Sequence, residues 1–381
     1  MIYLDNAATT RPHPQVLETV QHCLSEDFGN PSSPYMIGTK ARQLIDVARK
    51  RLATAFNVPQ IGIIFCSSGT ESDNLALKGL LGGHQRHSGR MITTRLEHSA
   101  VIKASEWLSR QGIPVDFVQI NQLTGQVDLN HLEELMQPDT RLVSIQHVNS
   151  ETGIIQDLAA ISRTVKSRNP TTIIHTDGVQ AFSKFPVDMQ KLGVDLYSIS
   201  GHKFHAIKGA GALVMSRKIP LEAILHGGGQ EFDLRSGTEN VAAIAGLGLA
   251  ADLATSAMEK NHETVATFAH AFKSRLQQRF PSIRFIEAPA ALPHIISLSI
   301  PGIPGEVLLN HLADREIYVA TGSACNAGSK NLSPVLQTMG FSPQRIRETI
   351  RISLAASEVP DDLEGFLNHF SEVVEALSQI V

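Results

Sequence analysis

Two short apolar runs in this chain end in groups that could do chemistry together. Residues 172–176 run into Asp177, and residues 196–200 run through Gly201 and His202 into Lys203. A lysine amine can form a Schiff base with an aldehyde, and a carboxylate can hold a pyridine nitrogen protonated, which is the pair of groups pyridoxal phosphate needs from a protein. Both residues follow runs rich in Ile, Val and Thr, so each is expected at the carboxyl edge of a buried strand, where open α/β sheets bind ligands. A phosphate requires a third element. The turn Ser67, Ser68, Gly69, Thr70 opens a helical run and would aim backbone N–H groups and the positive end of a helix dipole at an anion. Such a turn is by itself an ordinary N-cap. Its companion is the small polar element Ser200, Gly201, His202 directly before Lys203.

Four more residues carry candidate chemistry. His98 follows another strand-like run and could stack on a pyridine ring and move protons near neutral pH. Gln180, three residues past Asp177, could reach the ring's phenolic oxygen. Cys325 lies among Gly, Ser, Ala and Asn rather than in an apolar period, the setting of a reactive thiol rather than a packed one. Arg351 opens an apolar strand and could hold a substrate carboxylate through a forked pair of hydrogen bonds. Cys23, on a helix of mixed polarity, and Cys66, within a strand, read as inert.

The elements that must position these groups follow from hydrophobic period. Strands are expected at 61–66, 90–94, 115–120, 141–148, 172–176, 196–200 and 211–215, with helices at 39–56, 70–81, 98–111, 129–136 and 157–168 between several of them. That alternation predicts a mostly parallel sheet of seven strands covered on both faces. A long helical stretch then runs to about Arg279, followed by a smaller α+β block. The expected organisation is a large domain over 13–256 and a small domain formed by 1–12 and 257–381.

Composition excludes several functions. The chain has 381 residues, 42% of them hydrophobic, enough for a large core. Its net charge of −4 offers no basic field for direct nucleic-acid binding. Its N-terminus reads as neither a leader nor an anchor, so no membrane association is expected and a cytoplasmic location is. Three cysteines without CxxC spacing, and sixteen histidines without HExxH, argue against a structural metal site.

Taken in order, YLDNAATT (3–10), FGNPSS (28–33), SGTESDN (68–74), EHSAV (97–101), HVN (147–149), HTDGVQ (175–180), SGHK (200–203), RSGTEN (235–240) and GSAC (322–325) resemble the cysteine desulfurases of the NifS/IscS type. These belong to the class V aminotransferase group of fold-type I pyridoxal phosphate enzymes. The resemblance implies that Lys203 binds the aldehyde, Asp177 pairs with the pyridine nitrogen, His98 stacks on the ring and Gln180 meets the phenolic oxygen. Ser68, Gly69, Thr70, Ser200 and His202 would cradle the phosphate. Thr238 would reach it from the second subunit of a homodimer. Arg351 would bind the carboxylate of L-cysteine, and Cys325 would take its sulfur as a persulfide, leaving alanine. Delivery to a sulfur-acceptor protein, an iron–sulfur scaffold or a tRNA-thiolating enzyme, is implied in turn. The early close of the chain after its final helical run points to a dedicated acceptor. Selenocysteine lyase and aminotransferase are the alternatives on the same fold, and Cys325 favours desulfuration; a catalytically silent partner-binding platform predicts loss of the lysine, the acid or the thiol, and Lys203, Asp177 and Cys325 are all present. Departures from the family pattern occur at Ser150, Ser68, Tyr35, Ala206 and Ile207.

Overall fold

The computed structural model describes residues 1–82, 89–322 and 332–379. Seven strands form one sheet in the order Ile63–Cys66, Gly211–Met215, Leu196–Ser200, Ile173–Asp177, Thr140–Ser144, Arg90–Thr93, Val115–Phe117. Gly211–Met215 runs antiparallel to both its neighbours, and the remaining pairs are parallel. The strands Ile63–Cys66, Ile173–Asp177, Leu196–Ser200 and Gly211–Met215 are buried at every residue. Only a sheet covered on both faces allows that.

The pleat divides these side chains between two cores. Ile63, Phe65, Ile174, Tyr197 and Ile199 join one core with residues of the helices Met36–Phe56 and Val241–Ser256. Ile64, Cys66, Ile173, Leu196 and Leu213 join the other, with the helices Gly69–Leu81 and Ser99–Arg110.

A second, antiparallel sheet has the order Ala320–Thr321, Thr349–Ser353, Ile295–Ser299, Arg284–Ile286. Its core gathers Leu4, Phe272, Leu298, Ile350, Phe366 and Phe370. Ile2–Tyr3 pairs in parallel with Ile317–Tyr318. The chain then crosses to Ser353, which accepts from Asn6 N through its carbonyl at 3.2 Å and from Ala7 N through its hydroxyl at 2.8 Å.

The strand expected at 115–120 is Val115–Phe117 and the one at 61–66 is Ile63–Cys66; two further elements differ in extent with consequences for the fold. The run 141–148 leaves the sheet after Ser144, although Ile145 and His147 still donate to His175 O at 3.1 Å and Asp177 O at 2.9 Å. The long helical stretch is two helices, Val241–Ser256 and Met258–Arg279, bent by 66°. The first is packed into the large-sheet core, and the second turns Val265, Phe268, Phe272 and Leu276 toward the small-sheet core. Serving two cores requires the bend, and helical period alone does not reveal it. Among the described residues no single helix is long and apolar enough to cross a membrane.

Candidate active site

Four strands of the large sheet end at one edge and deliver the expected groups there. A cavity of about 300 Å³ is lined by Ser68, Gly69, Thr70, His98, Asp177, Gln180, Ser200, His202, Lys203 and Arg351, together with Ala7, Ala8, Asp73, Gln146, Val148, Ser150 and Val179. Thr238 is exposed and is not on this chain's cavity wall. Cys325 lies outside the described residues; Cys23 and Cys66 are both buried.

The phosphate turn is built locally. Ser68 caps the helix Gly69–Leu81 by accepting from Glu71 N at 3.2 Å, and Glu71 accepts in return from Ser67 N at 2.7 Å, a variant of the capping box. Glu71 is held by Arg235 at 2.8 Å. Gly69 has no room for a side chain, because a Cβ there would lie 2.7 Å from Val179 Cγ2. On the facing side His202 Nδ1 meets Thr9 Oγ1 at 3.1 Å. Burial, with Lys203 and Lys208 adding to it, pushes the His202 pKa down to about 4, so at neutral pH the ring is an uncharged hydrogen-bonding group.

Asp177 is buried, and its Oδ1 accepts from Val179 N at 2.9 Å. Burial raises its pKa, opposed by the charges of His98 and Lys203 and by the Val179 hydrogen bond. A protonated ring nitrogen would supply the counter-charge such a carboxylate lacks. Asp73, 1% exposed, has a buried Oδ1 without a hydrogen bond, and burial together with Asp177 holds its pKa well above the usual carboxylate range. Both acids of the wall are thus pushed up by burial, and nearby positive charge opposes the shift at Asp177.

His98 caps the helix Ser99–Arg110 by accepting from Ala100 N at Nδ1, 3.2 Å away. Before it, Glu97 accepts from Thr94 Oγ1 at 2.8 Å and Gln146 N at 3.0 Å, yet burial pushes its pKa up to about 8. Lys203 Nζ donates to Ala7 O at 2.6 Å and Ala8 O at 2.8 Å, and Gln180 Nε2 donates to Ala7 O at 2.9 Å. Arg351 is buried and donates to Ser150 O at 2.9 Å and Asp5 Oδ1 at 2.7 Å; its Nε has no acceptor. Each terminal nitrogen keeps a second N–H, and a guanidinium on a cavity wall suits a carboxylate ligand.

Sequence reasoning assigned no role to Asp5, Ala7, Ala8 or Asp73. The first three lie in a motif that could be recognised but whose contacts are all distant in the chain. Asn149, beside the departure at Ser150, is explained here: its Oδ1 accepts from the backbone N–H of Glu151 and Thr152, both at 2.9 Å, and its Nδ2 donates to Leu96 O at 3.1 Å. Asn149 shapes the turn, and Ser150 faces the cavity.

A fold of this topology, with a lysine and an acid at the carboxyl ends of adjacent strands, defines a class of enzyme that comparison then narrows. The family described as Aminotransferase class-V matches residues 2–366. Cysteine desulfurase IscS of Methanosarcina thermophila is 37% identical over 99% of this chain and 92% of its own, and that of Dictyoglomus turgidum 35% identical over 100% and 96%. Among solved structures, a NifS-like protein superposes with a TM-score of 0.91 at 35% identity over 99% of both chains. One titled SspA in complex with cysteine gives 0.81 at 31% identity, over 93% of this chain and 99% of that one. The chain belongs to the class V aminotransferase family, within its cysteine desulfurases of the NifS/IscS type.

Proposed function

We infer that this protein is a pyridoxal phosphate-dependent cysteine desulfurase, converting L-cysteine to L-alanine and passing the sulfur through an enzyme persulfide to an acceptor protein. The observation that carries the reading is the single cavity joining Lys203, Asp177, His98, the Ser68–Thr70 turn and Arg351. The residues fit the cofactor. Ser68, Gly69, Thr70, Ser200 and His202 would hold its phosphate at a helix N-terminus, His98 would stack on its ring, Gln180 would meet its phenolic oxygen, and Lys203 would hold its aldehyde carbon. Bound there, pyridoxal phosphate supplies an electron-withdrawing ring that makes the α-proton and the carbon–sulfur bond of cysteine labile.

The protein's own groups do the rest. Arg351 takes the substrate carboxylate through its fork, turning the amine toward Lys203. Released Lys203 Nζ is the base that removes the α-proton, and Asp177 keeps the ring nitrogen protonated while charge develops. The Cys325 thiolate then attacks the substrate sulfur. An S–S bond forms on Cys325 as the C–S bond breaks, the bonding pair stays with the β-carbon, and protonation of that carbon together with return of the α-proton leaves alanine. Thr238 is proposed to complete the phosphate site of the other subunit in a homodimer.

The test is alanine release from L-cysteine in the presence of a thiol reductant, for the parent and Cys325→Ser. Alanine from the parent alone is expected. Equal release from both would remove Cys325 from the pathway, and release from neither would sink the desulfurase reading.

A further inference from the structure

Behind the cavity of the candidate site lies a second, much smaller one of about 10 Å³, room for one water-sized sphere. Ala7 and Gln180 stand in the walls of both. The remaining polar residues of the small cavity are Asn6, Lys184, His294 and Ser353, from three distant parts of the chain. Ser353 is already engaged there, its Oγ accepting from Ala7 N at 2.8 Å and donating to Leu4 O at 3.4 Å.

The other three have hydrogen-bonding capacity left over. Asn6 is 5% exposed, and its Nδ2 donates to Ser353 O at 3.1 Å and to Tyr3 O at 3.4 Å. Two carbonyl partners fix which end of the amide is the nitrogen, so its buried and unpartnered Oδ1 is an acceptor. His294 is equally buried, and its Nδ1 has no partner. Burial, with Lys184 and His262 adding to it, pushes the His294 pKa down to about 2, so the ring is neutral. Lys184 Nζ donates to Lys203 O at 3.4 Å and carries further N–H groups. A ligand between them must donate to Asn6, accept from Lys184 and do either toward His294. The ammonium repels a cation and Asn6 Oδ1 repels an anion, whereas water meets all three and would have the three partners a buried water usually makes.

We propose that Asn6, Lys184 and His294 bind one buried water, and that through it Lys184 and His294 act as positioning residues for Lys203. The water closes a ring about that lysine. Lys184 holds the Lys203 carbonyl, the water joins Lys184 to Asn6, and the carbonyl of the next residue, Ala7, accepts from Lys203 Nζ at 2.6 Å and from Gln180 Nε2 at 2.9 Å. His294 ties the ring to the small sheet, since it directly precedes the strand Ile295–Ser299 and its carbonyl accepts from Leu354 N at 2.8 Å. A bridging water is nearly as favourable as a direct hydrogen bond, and an amine held out of line reacts more slowly. The role of Lys203 is that of the desulfurase reading above; the water site stands on the geometry alone.

The experiment compares the parent with Lys184→Met, His294→Leu and His294→Asn. Met keeps the length of the stem without a donor, and Asn keeps a polar atom near the place of Nδ1 where Leu has none. In crystals of the holoprotein, density for one water touching Asn6, Lys184 and His294 is expected in the parent, and the same water is expected in His294→Asn but not in Lys184→Met. In the cofactor-free proteins, covalent capture of pyridoxal phosphate by Lys203, followed by absorbance, should slow about fivefold or more in Lys184→Met and His294→Leu, and stay within about twofold of the parent in His294→Asn. Binding of pyridoxine phosphate, an alcohol that Lys203 cannot capture, should be equal in all four. A parent without this water would overturn the proposal, as would capture at the parental rate in His294→Leu, a substitution that removes no direct bond to Lys203. Pyridoxine phosphate binding that weakens in step with capture would also overturn it, because the substitutions would then act on the fold of the whole site. A parent that captures no pyridoxal phosphate would sink the desulfurase reading, and the density would still decide the water site.

Discussion

Removing Glu231 should destabilise the protein far more than removing Glu231 together with its partner. Glu231 and Arg49 form a forked pair, with Nη2 to Oε1 at 2.7 Å and Nη1 to Oε2 at 3.0 Å, and their side chains are 2% and 9% exposed. Phe65 N donates to Glu231 Oε2 at 2.8 Å, and Arg49 also donates to Ile63 O and lies over the rings of Phe65 and Phe232. Glu231→Ala leaves a buried guanidinium uncompensated, a loss of about 3–5 kcal/mol. The unpaired Phe65 N–H is part of that figure rather than an addition, since both losses come from one site. Alanine is the right substitution, because Glu231, Phe232 and Asp233 all have positive φ (48°, 60° and 65°) and glycine would relieve strain at the same time. In Arg49→Met/Glu231→Leu both charges leave together, and the cost should fall to within about 1–2 kcal/mol of the parent. Urea unfolding followed through Trp107, the chain's one tryptophan, reads the large-sheet core directly. A Glu231→Ala loss below about 1 kcal/mol, or a double variant as unstable as the single one, would refute the treatment of this pair as a buried charge pair.

Other consequences are as direct. Glu97 has its pKa raised from 4.5 to about 8 by burial, so its contribution to stability is complete below pH 4.5 and is lost as pH rises to 8; relative to the parent, Glu97→Gln should gain stability across that window in paired denaturation curves. Arg351→Lys keeps a charge but not the fork, and should raise KM for cysteine by about tenfold or more with a smaller change in kcat, measured by steady-state alanine release. If Thr238 acts across subunits, mixing Thr238→Val with Lys203→Ala protein should restore activity that neither has alone, because one site in each mixed dimer is intact; no recovery after subunit exchange would place Thr238 outside the partner's site.

The parts of the site that were legible in the sequence are those set by local structure. Asp177 and Lys203 stand at the ends of strands whose apolar runs announce them, and the Ser68–Thr70 turn shows its cap and its helix within a few residues. Asp5, Ala7 and Ala8 gave no comparable signal, because their contacts join residues far apart in the chain, 196 positions from Ala7 to Lys203 and 346 from Asp5 to Arg351. Asp73 was hidden by its own neighbourhood, a polar residue in a helix start that reads as solvated until the sheet packs over it. The bend at Ala257 was equally invisible. It is imposed by two separate cores, and each half of the stretch has a helical pattern of its own.

The two carbonyls that receive the Lys203 amine belong to residues made before any strand of the large sheet. Ala7, the first of them, is held in place by Ser353, 346 positions later. While the chain is being synthesised, the strands 173–177 and 196–200 emerge and can pair long before the segment that anchors the lysine has its own support. A nascent chain would hold Lys203 and Asp177 on a finished sheet edge, but without the wall that orients the amine. Closure of the site is therefore among the last events of folding, after the longest loop has been brought together. Chains released short of residue 353 would fail there, even with the large-sheet core fully formed.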